Sequence, residues 1–149
     1  MECVEILSAL LTPVIAIIAV YIAYRQYQIE KSKLNLELYD RRLHIYEEVK
    51  KIISIIVQKA SAEPEEMFNF RSAVSEADFL FDSDITDYIQ EIWDRGFNLI
   101  QNNQLYSRSP SPQDYDHEAV TDAIHQECMW FADQFEPVKS KFKKYLTLG

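Results

Sequence analysis

Nineteen residues without a charge, ILSALLTPVIAIIAVYIAY, run from Ile6 to Tyr24 and decide how the chain folds. An α-helix rises ~1.5 Å per residue, so this stretch is long enough to cross the ~30 Å hydrocarbon core of a bilayer. A soluble helix of this composition would expose apolar surface on every side. The sequence therefore predicts a transmembrane anchor at residues 1–24, followed by a second domain at residues 25–149.

The flanks of this stretch predict its orientation. No lysine or arginine precedes it, whereas five follow it within residues 25–42: Arg25, Lys31, Lys33, Arg41 and Arg42. Positive charge stays on the cytoplasmic side of a membrane. The N-terminal MECVE segment is not basic and no small-residue cleavage site follows the apolar run, so a cleaved signal peptide is disfavoured. We expect an uncleaved single-pass protein in contact with membrane lipids, with its N-terminus outside and its C-terminal domain in the cytoplasm.

Small side chains form one stripe along the predicted anchor. Their spacings are three and four residues, and they are Ser8, Thr12, Ala16, Ala19 and Ala23. Such stripes allow membrane helices to approach closely, which predicts that the anchor self-associates. The alternative is that alanine is simply common in membrane helices.

The remaining sequence predicts an all-α fold. Only two glycines occur, and neither glycine nor proline interrupts residues 14–60, so the anchor is expected to continue into one long cytosolic helix. Two apolar stripes follow this helix: Leu36, Tyr39, Leu43, Tyr46, Val49, Ile53 and Ile56 form one, and Leu34, Leu38, Ile45, Ile52 and Ile55 the other. Two stripes indicate either contact with a second copy or a central position in a helical bundle.

Prolines and turn residues divide the rest into a bundle of about four helices. We expect the second helix to start at Pro64 and to bury an apolar face of Met67, Phe70, Val74, Ala77 and Phe81. The third helix is predicted from Asp84 to Leu105, with Trp93 inward and Gly96 permitting close packing. Residues 106–116 predict a loop of undetermined role. A fourth helix should follow from Asp116, with Phe135 inward, and Pro137 should kink it or start a short basic amphipathic helix.

Charge is distributed unevenly along the chain. The net charge is −9, but residues 61–136 carry three basic and 17 acidic side chains, a net charge of −14, and residues 137–149 carry four lysines. An acidic body repels nucleic acid, so no direct nucleic-acid partner is expected. A cytosolic protein partner is possible for such a body.

The sequence predicts no enzyme active site, cofactor or metal. Asp122, His125 and Cys128 have a helical spacing, but structural zinc needs four ligands and no C-x-x-C or H-x-x-x-H pattern occurs. The acidic stretch Asp82–Asp87 lacks the glycine and the glutamate of a calcium loop, so helix capping explains it better.

One motif lies beyond the anchor. Residues 31–42 read KSKLNLELYDRR and follow the pattern K-x-x-L-x-L-x-L-Y-D-R-R. We expect Leu36 and Leu43 to lie on an oligomer contact and the charged group Asp40, Arg41 and Arg42 to fix its register. Asp40 is expected near His44, and Arg41 near Glu48 or a neighbouring subunit.

This motif resembles one found in small bacterial and prophage-encoded single-span membrane proteins. The plan of the chain is also similar to that of the membrane accessory protein of type VI-B CRISPR systems. The resemblance implies an oligomeric, pore-type accessory or effector of antiphage defence in the bacterial inner membrane. The helical RNase-like fold linked to that family is marked by an Arg followed four to six residues later by a His, and neither Arg42 with His44 nor Arg108 with His117 fits. Two interpretations therefore stand: a non-catalytic oligomeric pore, or a membrane-tethered adaptor whose acidic bundle recruits a cytosolic protein.

Overall fold

The structure, a computed structural model, describes residues 2–107 and 116–147, without the side chains of residues 2–10 and 12. The described residues form six helices and no strand: α1 Glu2–Lys59, α2 Pro64–Ala73, α3 Ala77–Leu80, α4 Ser83–Ser107, α5 His117–Ala132 and α6 Phe135–Lys143. The predicted all-α class is confirmed. Most of the predicted loop at residues 106–116 lies outside the described residues.

The chain divides into two compact units, Met1–Leu38 and Tyr39–Gly149. Among the described residues, no helix is both long enough and apolar enough to cross a lipid bilayer. The first five side chains of the uncharged run, Ile6–Leu10, and that of Thr12 lie outside this description. The predicted continuous helix is confirmed, since α1 extends from Glu2 to Lys59. Pro13 lies within it, although proline lacks the N–H for one intrahelical hydrogen bond.

Residues 45–56 of α1 contribute one face to the core of the second unit. Members of both predicted stripes are buried here, since Ile45, Val49, Ile52, Ile53 and Ile56 are each at most 3% exposed. These five residues share one helix face, and Glu47, Lys50 and Lys51 on the opposite face are exposed, so this part of α1 packs one side against the bundle. The helix ends at Lys59, and Ala60 has the left-handed φ of 50° that glycine usually supplies after a helix.

The second predicted helix is shorter than its apolar pattern indicated. It begins at Pro64 as predicted, where Glu63 and Glu66 form a capping box, but it ends at Ala73. A turn then leads to the short helix α3. Val74, Ala77 and Phe81 are all buried. The spacing of apolar residues therefore stays helical across the break between α2 and α3, and it does not reveal this break.

The third predicted helix is confirmed as α4, which runs from Ser83 to Ser107. Gly96 is buried against α2 as expected, because a Cβ at this position would lie 2.7 Å from Met67 Sδ and in contact with Met67 Cε. Trp93 is only half-buried, which corrects its predicted inward position. Its ring contacts Phe68 edge-on and Phe97 at a tilt, with ring centres 5.7 and 4.7 Å apart.

The last two helices, α5 and α6, both pack against α4. Asp116 caps α5, accepting hydrogen bonds of 3.1 Å from the backbone N–H groups of Glu118 and Ala119. The predicted short helix forms as α6, and it packs into the bundle because Val138 and Phe142 are fully buried. Phe135 begins α6 rather than continuing α5, and it is 41% exposed instead of inward as predicted.

Candidate functional site

The motif residues lie along α1 in different environments. Leu36 is 54% exposed, Leu43 is half-buried and Asp40 is exposed. The guanidinium of Arg41 lies 3.4 Å from the Glu76 carboxylate, near the start of α3. Arg41 therefore forms an ion pair with Glu76 of its own chain, a partner that the sequence patterns did not predict.

Arg42 connects α1 with two distant segments of the second unit. Its Nε donates a 3.1 Å hydrogen bond to the carbonyl of Leu80, and Nη1 donates one of 3.5 Å to the carbonyl of Tyr145. Its guanidinium also lies 5.7 Å from the centre of the Tyr145 ring. Arg42 thus fixes the position of α1 relative to the end of α3 and the C-terminal turn.

We call the group of Arg42, Asp82, Asp84, Lys144 and Tyr145 the C-terminal clasp. The Tyr145 hydroxyl lies 2.8 Å from Asp82 Oδ2 and 2.7 Å from Asp84 Oδ1, so the two carboxylates share its proton. Lys144 Nζ lies 3.0 Å from Asp84 Oδ2. The two aspartates, which the sequence assigned only to helix capping, therefore also hold the C-terminal turn in place.

Electrostatics in the clasp follow from these contacts. The Tyr145 hydroxyl and then the Lys144 ammonium stabilise the Asp84 carboxylate and lower its pKa. Partial burial, and then the hydrogen bond to Asp84, raises the pKa of Tyr145. Both shifts favour the states in which the Asp84 carboxylate accepts the hydrogen bond and the Tyr145 hydroxyl donates it.

An exposed aromatic surface lies on the other side of α4. Phe68 from α2 packs edge-on against Trp93 and Phe97 of α4, with ring centres 5.7 and 5.8 Å apart, and it remains 60% exposed. Arg71 lies over the Trp93 ring at 5.5 Å and donates a 2.9 Å hydrogen bond to Gln90. Aromatic rings left in water on a folded domain are typical of a binding surface.

A groove of about 520 Å³ adjoins these rings between α2, α3 and α4. Its apolar lining includes Phe68, Val74 and Ile89, and its polar lining includes one basic and one acidic side chain, Arg71 and Asp78. Phe79, which follows Asp78 in the chain, is 89% exposed. The sequence patterns did not predict this groove. The available signal was that Phe68 and Phe79 both lie outside the apolar stripe of their segment.

The predicted packing stripe of the anchor lies in the first unit. Ala16, Ala19 and Ala23 are exposed, and the side chains of Ser8 and Thr12 lie outside the described residues. Every described side chain from Leu11 to Glu37 is exposed, and 13 of them are large and apolar. Nothing within the described part of this unit covers them.

Cys128, considered above as a zinc ligand, lies in α5 and faces the residue that follows α1. Cys128 Sγ contacts the Ala60 carbonyl at 3.8 Å, and burial, followed by the nearby Glu127 carboxylate, raises the pKa of its thiol. A raised pKa leaves less thiolate, which is the reactive form. In the residues that the structure describes, no group of three or more His, Cys, Asp or Glu side chains is arranged to hold a metal ion.

Comparisons with known proteins give no match: no family model, no curated protein and no solved structure corresponds to this chain. The function must therefore be argued from the residues and their arrangement.

Proposed function

We propose that the chain is an oligomeric, single-pass protein of the bacterial inner membrane that acts, without catalysis, as a pore-type accessory or effector in antiphage defence. One observation carries the proposal: the described part of residues 11–37 is exposed on every side and rich in large apolar side chains. A helix that is apolar all round must be covered by lipid or by other helices. The uncharged part of this stretch, residues 11–24, therefore supports a proposal in which lipid or other helices cover it.

The sequence of the anchor supports lipid as part of that environment. The uncharged run Ile6–Tyr24 has the length of a membrane-spanning helix, and Arg25 directly follows it. Tyr21, Tyr24 and Tyr27 lie where aromatic side chains gather at the membrane surface. The cytoplasmic assignment of the second unit follows from the basic residues after the run.

Other copies of the chain are the second part of that environment. Ala16, Ala19 and Ala23 are exposed and lie on one face of α1, where small side chains allow two helices to approach closely. One apolar helix cannot enclose a water-filled path, so a pore requires several copies. The pore and the defence role themselves rest on the resemblance of the motif at residues 31–42.

The test is the assembly and conductance of the full-length protein. Light scattering and electron microscopy of the detergent-solubilised protein should give a defined ring of several copies, and the reconstituted ring should release ions from liposomes. A monomer in mild detergent would overturn the oligomer. A ring that leaves liposomes sealed would overturn the pore while preserving the membrane assembly.

A second candidate function is a membrane-tethered adaptor. It is favoured by the exposed aromatic rings of Phe68 and Phe79 on a bundle whose segment 61–136 carries a net charge of −14. Such a surface suits a protein partner of opposite charge. Specific binding of a partner to the second unit of the membrane-inserted protein is its test, and a ring without any such binding would leave only the pore.

A further inference from the structure

We propose that residues 25–37 of α1 bind the same segment of neighbouring copies through two opposite faces, so that each copy contacts one neighbour on each side. The inference rests on the membrane anchoring and self-association proposed above, and it adds the surface through which copies meet beyond the uncharged run. Three observations carry it: two exposed apolar faces, the charged residues that border them, and the continuity of α1 with the anchor.

Four large apolar side chains of this segment are exposed, and they form two pairs. Ile29 and Leu36 are seven residues apart, as are Tyr27 and Leu34, so the members of each pair lie two turns apart on one side of the helix. Since an α-helix turns by ~100° per residue, Tyr27 lies about 160° from Ile29, and Leu34 about 160° from Leu36. We call Ile29 and Leu36 the isoleucine face, and Tyr27 and Leu34 the tyrosine face; they lie on opposite sides of α1.

Lipid does not suit these two faces. Residues 25–37 contain five charged side chains, which are costly to place in the hydrocarbon core: Arg25, Glu30, Lys31, Lys33 and Glu37. A helix that lies on a lipid surface has a single apolar face, whereas this segment has two opposite ones. Protein is therefore the covering that fits both faces.

A neighbouring copy is the protein that this position selects. Because α1 is one continuous helix from Glu2 to Lys59, copies anchored in the same direction carry their isoleucine and tyrosine faces at the same height. A contact between two different faces is heterologous, and it closes into a ring when the rotation between neighbours allows. Each copy in such a ring has both faces covered. A symmetric dimer, or a single partner protein on one side, would leave one face in water.

The residues that border the two faces agree with this pairing. Lys33 borders the isoleucine face and Glu30 borders the tyrosine face on the same side of the helix, so opposite charges meet at one edge of the contact between neighbours. At the other edge, Lys31 of one copy meets the uncharged Ser32 of the next. Pairing the isoleucine face with itself in parallel copies would instead place two Arg25 side chains at one height, where like charges cost binding energy.

The experiment is disulfide cross-linking of the full-length protein in liposomes, in a background that carries Cys3→Ser and Cys128→Ser. A disulfide forms only where two Cβ atoms lie about 4 Å apart, so linkage reports direct contact. Leu34→Cys combined with Leu36→Cys places one thiol on each face, and oxidation with copper phenanthroline should link each copy to the next, giving a ladder larger than a dimer on a non-reducing gel. Each single variant should give at least about tenfold less linked product, because a heterologous contact sets its thiol opposite a face without one.

Two controls complete the design. Copies with Leu34→Cys alone, mixed with copies that carry Leu36→Cys alone, should give a dimer and nothing larger. Gln26→Cys combined with Gln28→Cys has the same two-residue spacing, and both glutamines are exposed, but they lie on the two sides of α1 between the faces. This pair should give no ladder.

Each other result overturns a defined statement. Light scattering of the cysteine-free protein in mild detergent is measured first, and a monomer would overturn both this inference and the proposed oligomer. An oligomer that gives no ladder would overturn the two-face contact but leave the assembly standing. Dimers from one single variant as abundant as the products of the double variant would show a symmetric contact instead. An equal ladder from the glutamine pair would show that linkage reflects random collision. Circular dichroism of each variant verifies that the helices are retained.

Discussion

Ala60 ends α1 in a conformation that an L-residue adopts at a cost. Its φ of 50° lies in the left-handed region, where Cβ crowds the following carbonyl oxygen and costs about 1–2 kcal/mol. Ala60→Gly should therefore raise the free energy of unfolding, by about 1 kcal/mol after the greater flexibility of the unfolded glycine chain is subtracted. Urea unfolding in detergent, followed by circular dichroism, measures the change.

The control for this prediction is an alanine inside a helix. Ala123 lies within α5, so Ala123→Gly should lower the unfolding free energy by about 1 kcal/mol. Equal destabilisation by both substitutions would contradict the proposed strain at Ala60.

Gly96 is required by the close approach of α4 to α2. A side chain at position 96 would meet the end of the fully buried Met67 side chain, which would then have to shift within the core. Gly96→Val should lower the unfolding free energy by about 1–3 kcal/mol, the usual cost of overpacking a core. If the cause is this contact, the double variant with Met67→Ala should lose less than the sum of the two single variants. Additive losses would indicate a cause elsewhere.

The clasp makes stability depend on pH through Asp84. Its pKa is lowered in the folded state by the Tyr145 hydroxyl and Lys144, so its stabilising contribution is present above the unfolded pKa of about 3.9 and is lost as pH falls through the folded value. Asp84→Asn should lower the urea midpoint at about pH 6, and the difference from wild type should shrink by about pH 3. Asp122→Asn, on the exposed side of α5, should show no such pattern. A difference that persists on acidification would contradict the assigned role of the carboxylate.

At the scale of the element, α6 distinguishes packing in the bundle from binding to a lipid surface. Phe142 is fully buried, with ring centres 5.4 Å from Tyr46 and 5.2 Å from Phe81. Phe142→Ala should lower the unfolding free energy by about 3–5 kcal/mol, through lost burial and the cavity left behind. Phe135→Ala in the same helix should cost far less, because Phe135 is 41% exposed. Similar small losses in both variants would mean that α6 is not part of the core.

The periodicity of the sequence predicted most helices because burial of one face requires it. Helix starts at Pro64 and near Asp116 were predictable, since a first-turn proline and a capping aspartate act locally. The break between α2 and α3 was not, because Val74 and Ala77 keep the helical spacing while the chain turns. Whether a predicted apolar residue is buried depends on its neighbours, which is why Trp93 and Phe135 were misplaced.

The contacts of the candidate sites were less predictable than the helices. Arg42 with Tyr145, and Tyr145 with Asp82, join residues more than 60 positions apart in the chain. No local pattern specifies such pairs. The groove depends in the same way on how three helices meet, although the off-stripe position of Phe68 marked one of its residues.

At the scale of the whole molecule, the two units have opposite surface chemistry. The described side chains of residues 11–37 are exposed and largely apolar, whereas the second unit contains the segment of net charge −14. An acidic surface opposes aggregation of the second unit, so self-association is expected to arise in the first. Under the proposed functions, assembly would belong to the first unit and recognition to the second, and the two can be tested separately.

The small-residue stripe provides the test of assembly. Ala16→Leu combined with Ala19→Leu keeps the anchor apolar but prevents close approach of neighbouring helices, so the oligomer mass measured by light scattering in mild detergent should fall. The matched control is Ile17→Leu with Val20→Leu, which alters large apolar side chains outside the stripe and should leave the mass unchanged. Both variants should still fractionate with membranes, because neither introduces a polar group. An unchanged mass in the alanine variant would show that the stripe is not the contact, and assembly would then have to be sought in another face of the first unit.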